Sequence, residues 1–260
     1  MFKRMRKKFH KTDKKVFTVF IVLRILIILT IISQVFRGNY DNAILCVICL
    51  FLFTLPSLAD RKLHIELPST LEIIIYVFIF SHEILGEINK FYLIFPEWDL
   101  ILHTLNGFIC AGIGFSLVNL LNDNITEFNL SAVYVCLVSF CFSMTVGIMW
   151  EFFEYSHDKI LAGDMQKDEI VTKVSSVNLN KKHENKPVII DGIDQTILHH
   201  KNGTTIISNG YLDIGLNDTM EDLFVNLIGA IIFNIFGFIY LKRKDKSFAT
   251  NFIPTIKKET

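Results

Sequence analysis

Along this chain, apolar residues gather in long blocks separated by short polar breaks. A helix needs ~20 apolar residues to cross a ~30 Å hydrocarbon core, where no backbone polar group stays unpaired. Six blocks reach or approach that length: 16–36, 43–58, 70–85, 100–121, 130–155 and 223–241. None carries the polar stripe that a soluble amphipathic helix of this length shows. The second and third are short and pair naturally as a helical hairpin around 60–68. The pattern predicts an all-α integral membrane protein, a bundle of about six transmembrane helices.

One polar stretch is long. Segment 156–218 differs sharply in composition from both its neighbours. The runs 196–198 and 204–207 flank His199, His200, Lys201, Asn202 and Gly203, and Asn-Gly between β-branched runs signals a hairpin. Val188, Ile189 and Ile190 before Asp191-Gly192 read as another strand. A small β-rich insertion is expected there. His199 and His200 adjoin on one strand, so they point to opposite faces and read as solvated hairpin residues. The organisation is then a basic N-terminus (1–15), five helices (16–155), the insertion (156–218), a sixth helix (219–241) and a basic tail (242–260).

Composition sharpens the setting. Of 260 residues, 51% are apolar and 24 are phenylalanine, which argues against disorder and against an ordinary soluble globule. Lys+Arg and Asp+Glu both number 26, and zero net charge argues against a globally basic nucleic-acid binder. The charges are segregated. Lys and Arg number eight in 1–15, two in 59–69, none in 122–129 and six in 242–260. The opposite short loops hold only Arg37 and Lys90, and long segments such as 156–218 weigh little in this rule. Both termini are therefore expected in the cytoplasm and the insertion outside. Trp98 and Trp150 then fall at the outer interface, as an aromatic belt would place them. The first block is too long for a signal-peptide core, and no small-x-small cleavage site follows it. All five cysteines (Cys46, Cys49, Cys110, Cys136, Cys141) lie in predicted spans, and the Cys46/Cys49 spacing reads as packing.

Ionisable groups inside spans are costly and usually face protein or water. Here they cluster at helix ends assigned to the outer side. Asp99 and His103 form an i,i+4 pair at the start of the fourth helix. Glu151 and Glu154 close the fifth at i,i+3. Asp218, Asp222 and Asn226 open the sixth, and His82 and Glu83 end the third. Two readings are open. In one, the ends form a shared polar site: carboxylates and imidazole can hold a divalent cation, or act as acid and base. In the other, they are caps and interfacial residues, with Asp218 and Glu221 as a capping box. Arg24 is the one cation inside the first span; it is expected to face a neighbouring helix or snorkel inward, with pairing to one of the carboxylates as the alternative.

These pairs resemble known families. The run 210–230, with Trp150 to Glu154 and the stretch from Asp164 to Asp168, resembles the YjdF-like family of bacterial membrane proteins, whose role is unassigned. That resemblance covers roughly 70–240. A looser pattern is similar to VanZ-like proteins, implicated in glycopeptide resistance. Their D-x-x-x-H falls on Asp99 and His103, and their E-x-x-Q on Glu151, with Glu154 in place of the glutamine. Their D-x-x-x-N-x-x-G-A falls on Asp222, Asn226, Gly229 and Ala230. The long insertion departs from that pattern. Both resemblances imply a bacterial cell membrane, and neither supplies a reaction.

Three functions follow in order. The first is an envelope protein that binds a lipid or protein partner at its outer Asp/Glu/His cluster. The second is a membrane enzyme, metal-dependent or not, acting on a lipid or cell-wall intermediate. Catalytic candidates are Asp99, His103, Glu151, Glu154, Asp218 and Asp222; metal candidates are His103, Glu151, Glu154 and Asp222; ligand contacts are His82, Glu83 and Asn226. No P-loop, Ser/His/Asp set or H-E-x-x-H supports the second. Transport ranks last, because neither midplane polar groups nor an internal repeat is evident in the sequence.

Overall fold

A computed structural model describes residues 13–62, 65–124, 130–182, 184–243, 252–253 and 255–256. The expected basic N-terminus, loop 122–129 and basic tail lie for the most part outside the described residues. In chain order the elements are α1 (Lys14–Phe36), α2 (Tyr40–Leu52), α3 (Leu55–Lys62), β1 (Ile65–Glu66), α4 (Ser69–Phe80), a π-helical segment (Ser81–Ile88), α5 (Phe91–Ile94), α6 (Trp98–Asn124) and α7 (Ala132–Leu161). There follow β2 (Ile170–Val171), β3 (Lys173–Ser176), a 3₁₀ turn (Val177–Leu179), β4 (Val188–Asp191), β5 (Gln195–His200), β6 (Gly203–Ser208), β7 (Tyr211–Leu212), α8 (Leu216–Arg243) and β8 (Thr255–Ile256).

Among the described residues, five helices are long and apolar enough to cross a membrane: Lys14–Phe36, Tyr40–Leu58, Trp98–Asn119, Ala132–Leu161 and Leu216–Lys242. The protein is thus a helical membrane protein with small β ladders. The expected third span, 70–85, falls on α4, which is only 12 residues long and runs straight into the π segment. The change to i→i+5 bonding is marked by Asn89 N–H donating to the Ile84 carbonyl at 3.0 Å. The expected second span is interrupted by a turn after Leu52. The fifth helix continues past Tyr155 to Leu161, so Glu151 and Glu154 lie within it rather than in its last turn. At 30 residues it extends about 45 Å, more than a ~30 Å hydrocarbon core needs.

The chain divides into two units. The first comprises Met1–Gly147 and Leu223–Thr260. Asp13 caps α1 by accepting the Lys15 N–H at 2.9 Å, and Gly38 at φ +74 reverses the chain into α2. The rings of Phe20, Phe53 and Tyr76 meet around 5.2 Å and join α1, α2 and α4 with buried Cys46 and Cys49. Arg24 lies over the Phe20 ring at 5.1 Å. All five cysteines are free thiols.

A second core joins α6, the first part of α7 and α8. Between bilayer-spanning helices, close approach comes from small residues and interhelical hydrogen bonds, because lipid tails are as apolar as leucine. Both occur here. Ser139 and Ser143, fully buried on α7, donate to the α6 carbonyls of Ala111 and Gly107 at 2.8 Å. A Cβ on Gly107 would lie 2.1 Å from the Asn226 carbonyl, and one on Gly229 would lie 2.0 Å from the Thr104 carbonyl. The two helices therefore meet backbone to backbone. Phe108, Phe115 and Phe233 stack edge to face behind this seam at 5.2 and 5.8 Å. Large apolar side chains such as Ile25, Leu29, Ile44, Val47 and Phe51 stand exposed on the helices, as lipid-facing residues do.

The second unit is Ile148–Asp222. Its strands pair antiparallel as β2–β7, β3–β4 and β5–β6. The expected hairpin is present, shifted by one position. His200 pairs with Gly203, so Lys201 and Asn202 make the turn, and Gly203 enters β6 at φ +141, a conformation only glycine adopts readily. His199 and His200 contact Thr204 and Thr205 across the hairpin. The strand expected at 188–190 is β4, with β3 as its partner.

Candidate functional site

In the second unit, the chain between α7 and β2 is tied down by carboxylates that receive main-chain N–H groups. Asp158 accepts from Met165 and Gln166 at 2.7 and 2.8 Å, and Asp218 accepts from Lys167 at 2.9 Å. Asp213 accepts from Glu169 at 2.9 Å, from Gly215 at 3.1 Å and from Asn217 at 2.8 Å. The Gln166 amide also donates to Thr219. The stretch from Asp164 to Asp168 is therefore a clamp that receives α7 at one end and the start of α8 at the other. Asp213, not Asp218, caps α8, because the helix starts at Leu216 and leaves Asp218 inside its first turn. Ile214, next to this cap, takes φ +61, a rare conformation for a β-branched residue.

Burial raises the Asp213 carboxyl, but the N–H groups of Glu169, Asn217 and Gly215 outweigh it and hold the group below its ordinary value. Burial pushes Asp168 up, and Asp164, Asp213 and Asp158 push the same way. A lowered acid stabilises the fold above its unfolded value of about 3.9, and this stabilisation is lost as pH falls through the folded value. Asp213→Ala is therefore expected to cost about 1 kcal/mol as a lost cap. It should also flatten the acid limb of the stability profile below pH ~4. Thermal unfolding followed from acid to neutral pH checks both.

Above the clamp, α7 and the first turns of α8 bring three carboxylates together. Glu151, Glu154 and Asp222 are 4%, 7% and 1% exposed. One oxygen from each lies within 4.8 Å of the others. The indole N–H of Trp150 donates to Glu154 at 2.7 Å, one helical turn away, and fixes that side chain. Three full negative charges at this spacing repel by about 3 kcal/mol per pair at an effective dielectric of ~20. Buried carboxylates in such a set are neutralised by protons or by a cation. Three oxygen donors suit a hard divalent ion and leave positions for water or a ligand oxygen.

In the first unit, His103 lies 3.4 Å from Asp99, with the imidazole nearly buried. The pair occupies the first two turns of α6, as the i,i+4 spacing predicts. His82 and Glu83 meet at 3.5 Å inside the π segment, with the His82 ring against Tyr92 at 5.9 Å. Gly86 admits that ring, since a Cβ there would collide with it at 2.4 Å. Asn226 is fully buried, accepts from Asn106 at 3.2 Å and contacts the Met144 sulfur at 3.6 Å. It belongs to the α6–α8 seam. Of the residues singled out in the sequence, Glu151, Glu154 and Asp222 converge, and Asp218 serves the clamp. Asp158 was not singled out, and Asp213 and Gln166 entered only inside the family-like runs 210–230 and 164–168, without a role.

Residues 18–243 match the family described as predicted membrane protein (DUF2238). The chain belongs to that family. It is the YjdF-like family whose motifs lie in 70–240, and the match extends through the first two helices as well. An uncharacterized protein of Thermotoga maritima is 26% identical over 106 residues, covering 41% of this chain and 53% of that protein. The chain thus spans about half the length of this relative. No solved structure matches.

Proposed function

We propose that this chain is a cation-binding protein of the bacterial cytoplasmic membrane. Glu151, Glu154 and Asp222 take a divalent cation, and through it an anionic envelope ligand or partner. The observation that carries this reading is the convergence of three buried carboxylate oxygens within 4.8 Å. A cation offsets their mutual repulsion, and its open positions supply the attraction for a ligand oxygen. Calorimetric titration of metal-free protein with Mg²⁺, Ca²⁺ and Mn²⁺ tests it. One site per chain, lost in Glu154→Gln, is expected; absence of binding up to millimolar metal overturns it.

Both termini lie in the cytoplasm in this proposal, with the insertion outside. The loop lysines and arginines support it. So does the β1–β8 ladder, which joins two segments, 65–66 and 255–256, that the charge rule puts on the same side. Lys201→Cys, in a background without the natural cysteines, is expected to react with an impermeant maleimide on intact cells. Reaction only after permeabilisation reverses the orientation.

A second reading, an enzyme acting on an envelope lipid or cell-wall intermediate, is favoured by the Asp99–His103 pair. A carboxylate that orients a buried imidazole is how general bases are built. Lipid profiling of a deletion strain under envelope stress, complemented with wild type or His103→Ala, tests it. An accumulated intermediate cleared only by wild type supports the enzyme; identical profiles exclude it.

A further inference from the structure

The clamp between α7 and α8 pairs its main chain internally to a degree that water does not require. Asp158 receives the N–H groups of Met165 and Gln166, Asp218 that of Lys167, and Asp213 those of Glu169, Gly215 and Asn217. A loop in water can leave such donors to solvent, whereas a loop beside hydrocarbon cannot. The same segment turns large apolar side chains outward. Ile160 and Leu161, in the last turn of α7, are 78% and 68% exposed. Ile214 and Leu216, where α8 begins, are 70% and 64% exposed. Ile214 holds this exposure at φ +61, where glycine or asparagine fits and a β-branched side chain is strained. Neither the backbone nor packing within the protein accounts for isoleucine there; an apolar medium outside the protein does.

The surface is continuous with one that already meets lipid. The exposed apolar side of α7 runs from Phe152, Phe153 and Tyr155 to Ile160 and Leu161, within about two to three helical turns. Lys159 reaches over the Tyr155 ring at 5.6 Å, an amphipathic pair of the kind that lines a membrane–water boundary. The 30 residues of α7 extend about 45 Å, close to the ~40–45 Å of a bilayer with its headgroups, which fits a last turn at headgroup level.

We propose that the clamp is seated in the interfacial layer of the bilayer, with Ile160, Leu161, Ile214 and Leu216 buried among the acyl chains of the leaflet beside the insertion. The partner is the lipid surface itself. Elements of this kind bury their apolar side roughly 5–10 Å into the boundary between headgroups and acyl chains. The seat anchors the base of the insertion, so that β2 and β7 start at the membrane surface instead of at the end of a free tether. The inference draws only on the second unit and requires no bound cation.

Photocrosslinking in full-length protein tests it. A benzophenone amino acid is placed singly at positions 160, 214 and 216, and the protein is reconstituted in phosphatidylcholine–phosphatidylglycerol vesicles. Position 152, on the exposed side of α7, is the lipid-facing reference, and position 201, in the hairpin turn, is the aqueous one. After illumination, mass spectrometry counts phospholipid adducts. Adducts at 160, 214 and 216 at least fivefold above those at 201, and within twofold of those at 152, are expected. Adduct levels no higher than at 201 overturn the proposal. Crosslinks to a second copy of the chain in place of lipid overturn it as well, because they cover the same side chains with protein. If the protein labelled at 214 fails to fold, positions 160 and 216 decide in the same way.

Discussion

Gly229→Val is expected to abolish the folded protein. The added Cβ would lie 2.0 Å from the Thr104 carbonyl and 2.9 Å from the Phe108 backbone nitrogen, atoms of α6 that cannot rotate aside. Relief requires α6 and α8 to move apart. That separation breaks the Asn106–Asn226 bond and opens the seam that Ser139 and Ser143 close from α7. Overpacking alone costs about 1–3 kcal/mol, and the loss of these helix contacts adds to it against a typical margin of only ~5–15 kcal/mol. Gly107→Val meets the Asn226 carbonyl at 2.1 Å and should behave the same way. Gly112→Ala is the control: its nearest neighbour is the edge of the Phe233 ring at 3.0 Å, a side chain that can shift. The yield of monodisperse protein in detergent reads all three. Near-wild-type yield for Gly229→Val would mean that the helices do not meet backbone to backbone.

The carboxylate cluster predicts a change of sign. In metal-free protein, Asp222→Asn removes one of three mutually repelling buried acids and should raise the melting temperature, because relief of charge crowding is worth about 1–3 kcal/mol. In saturating divalent metal the order reverses. Wild type gains about 2.7 kcal/mol at a metal concentration 100 times its Kd, while the variant loses a ligand and with it most of that gain. Glu151→Gln should follow the same pattern. Asn226→Ala, one turn further along α8, should destabilise with and without metal, since Asn226 is held by Asn106 in the helix seam. Melting curves with chelator and with added metal separate these cases. A uniform loss in both conditions for Asp222→Asn would make that residue structural.

Much of this was legible in the sequence because membrane spans are written in bulk hydrophobicity, and hairpins in local turn chemistry. The blocks around 16–36, 100–121 and 223–241 appear as long helices, and the hairpin around Lys201 appears one position from its expected register. The change from α to π at Ser81 was hidden. Within the π segment Gly86 lies against the Tyr92 ring, a close approach that hydropathy does not encode. The extension of α7 to Leu161 was hidden as well, because its last turns carry His157, Asp158 and Lys159, which read as loop until Asp158 is seen holding the clamp. The i,i+3 spacing of Glu151 and Glu154 put both on one face of a helix, but only packing brought Asp222 to them. The cap fell to Asp213 instead of Asp218 because the helix starts at Leu216, where the N–H groups of Gly215 and Asn217 reach Asp213. The packing of Phe252 and Ile253 into the second core had no sequence signature beyond two apolar residues in a basic tail.

In the proposal, Glu151, Glu154 and Asp222 hold a divalent cation. Its most direct test is elemental analysis of protein purified in detergent without chelator, for wild type and for Glu151→Ala with matched yield and melting behaviour. One divalent ion per chain in wild type, and less than a tenth of that in the variant, is the predicted result. A metal-free wild type that also takes up none on dialysis against millimolar Mg²⁺, Ca²⁺ or Mn²⁺ would contradict it.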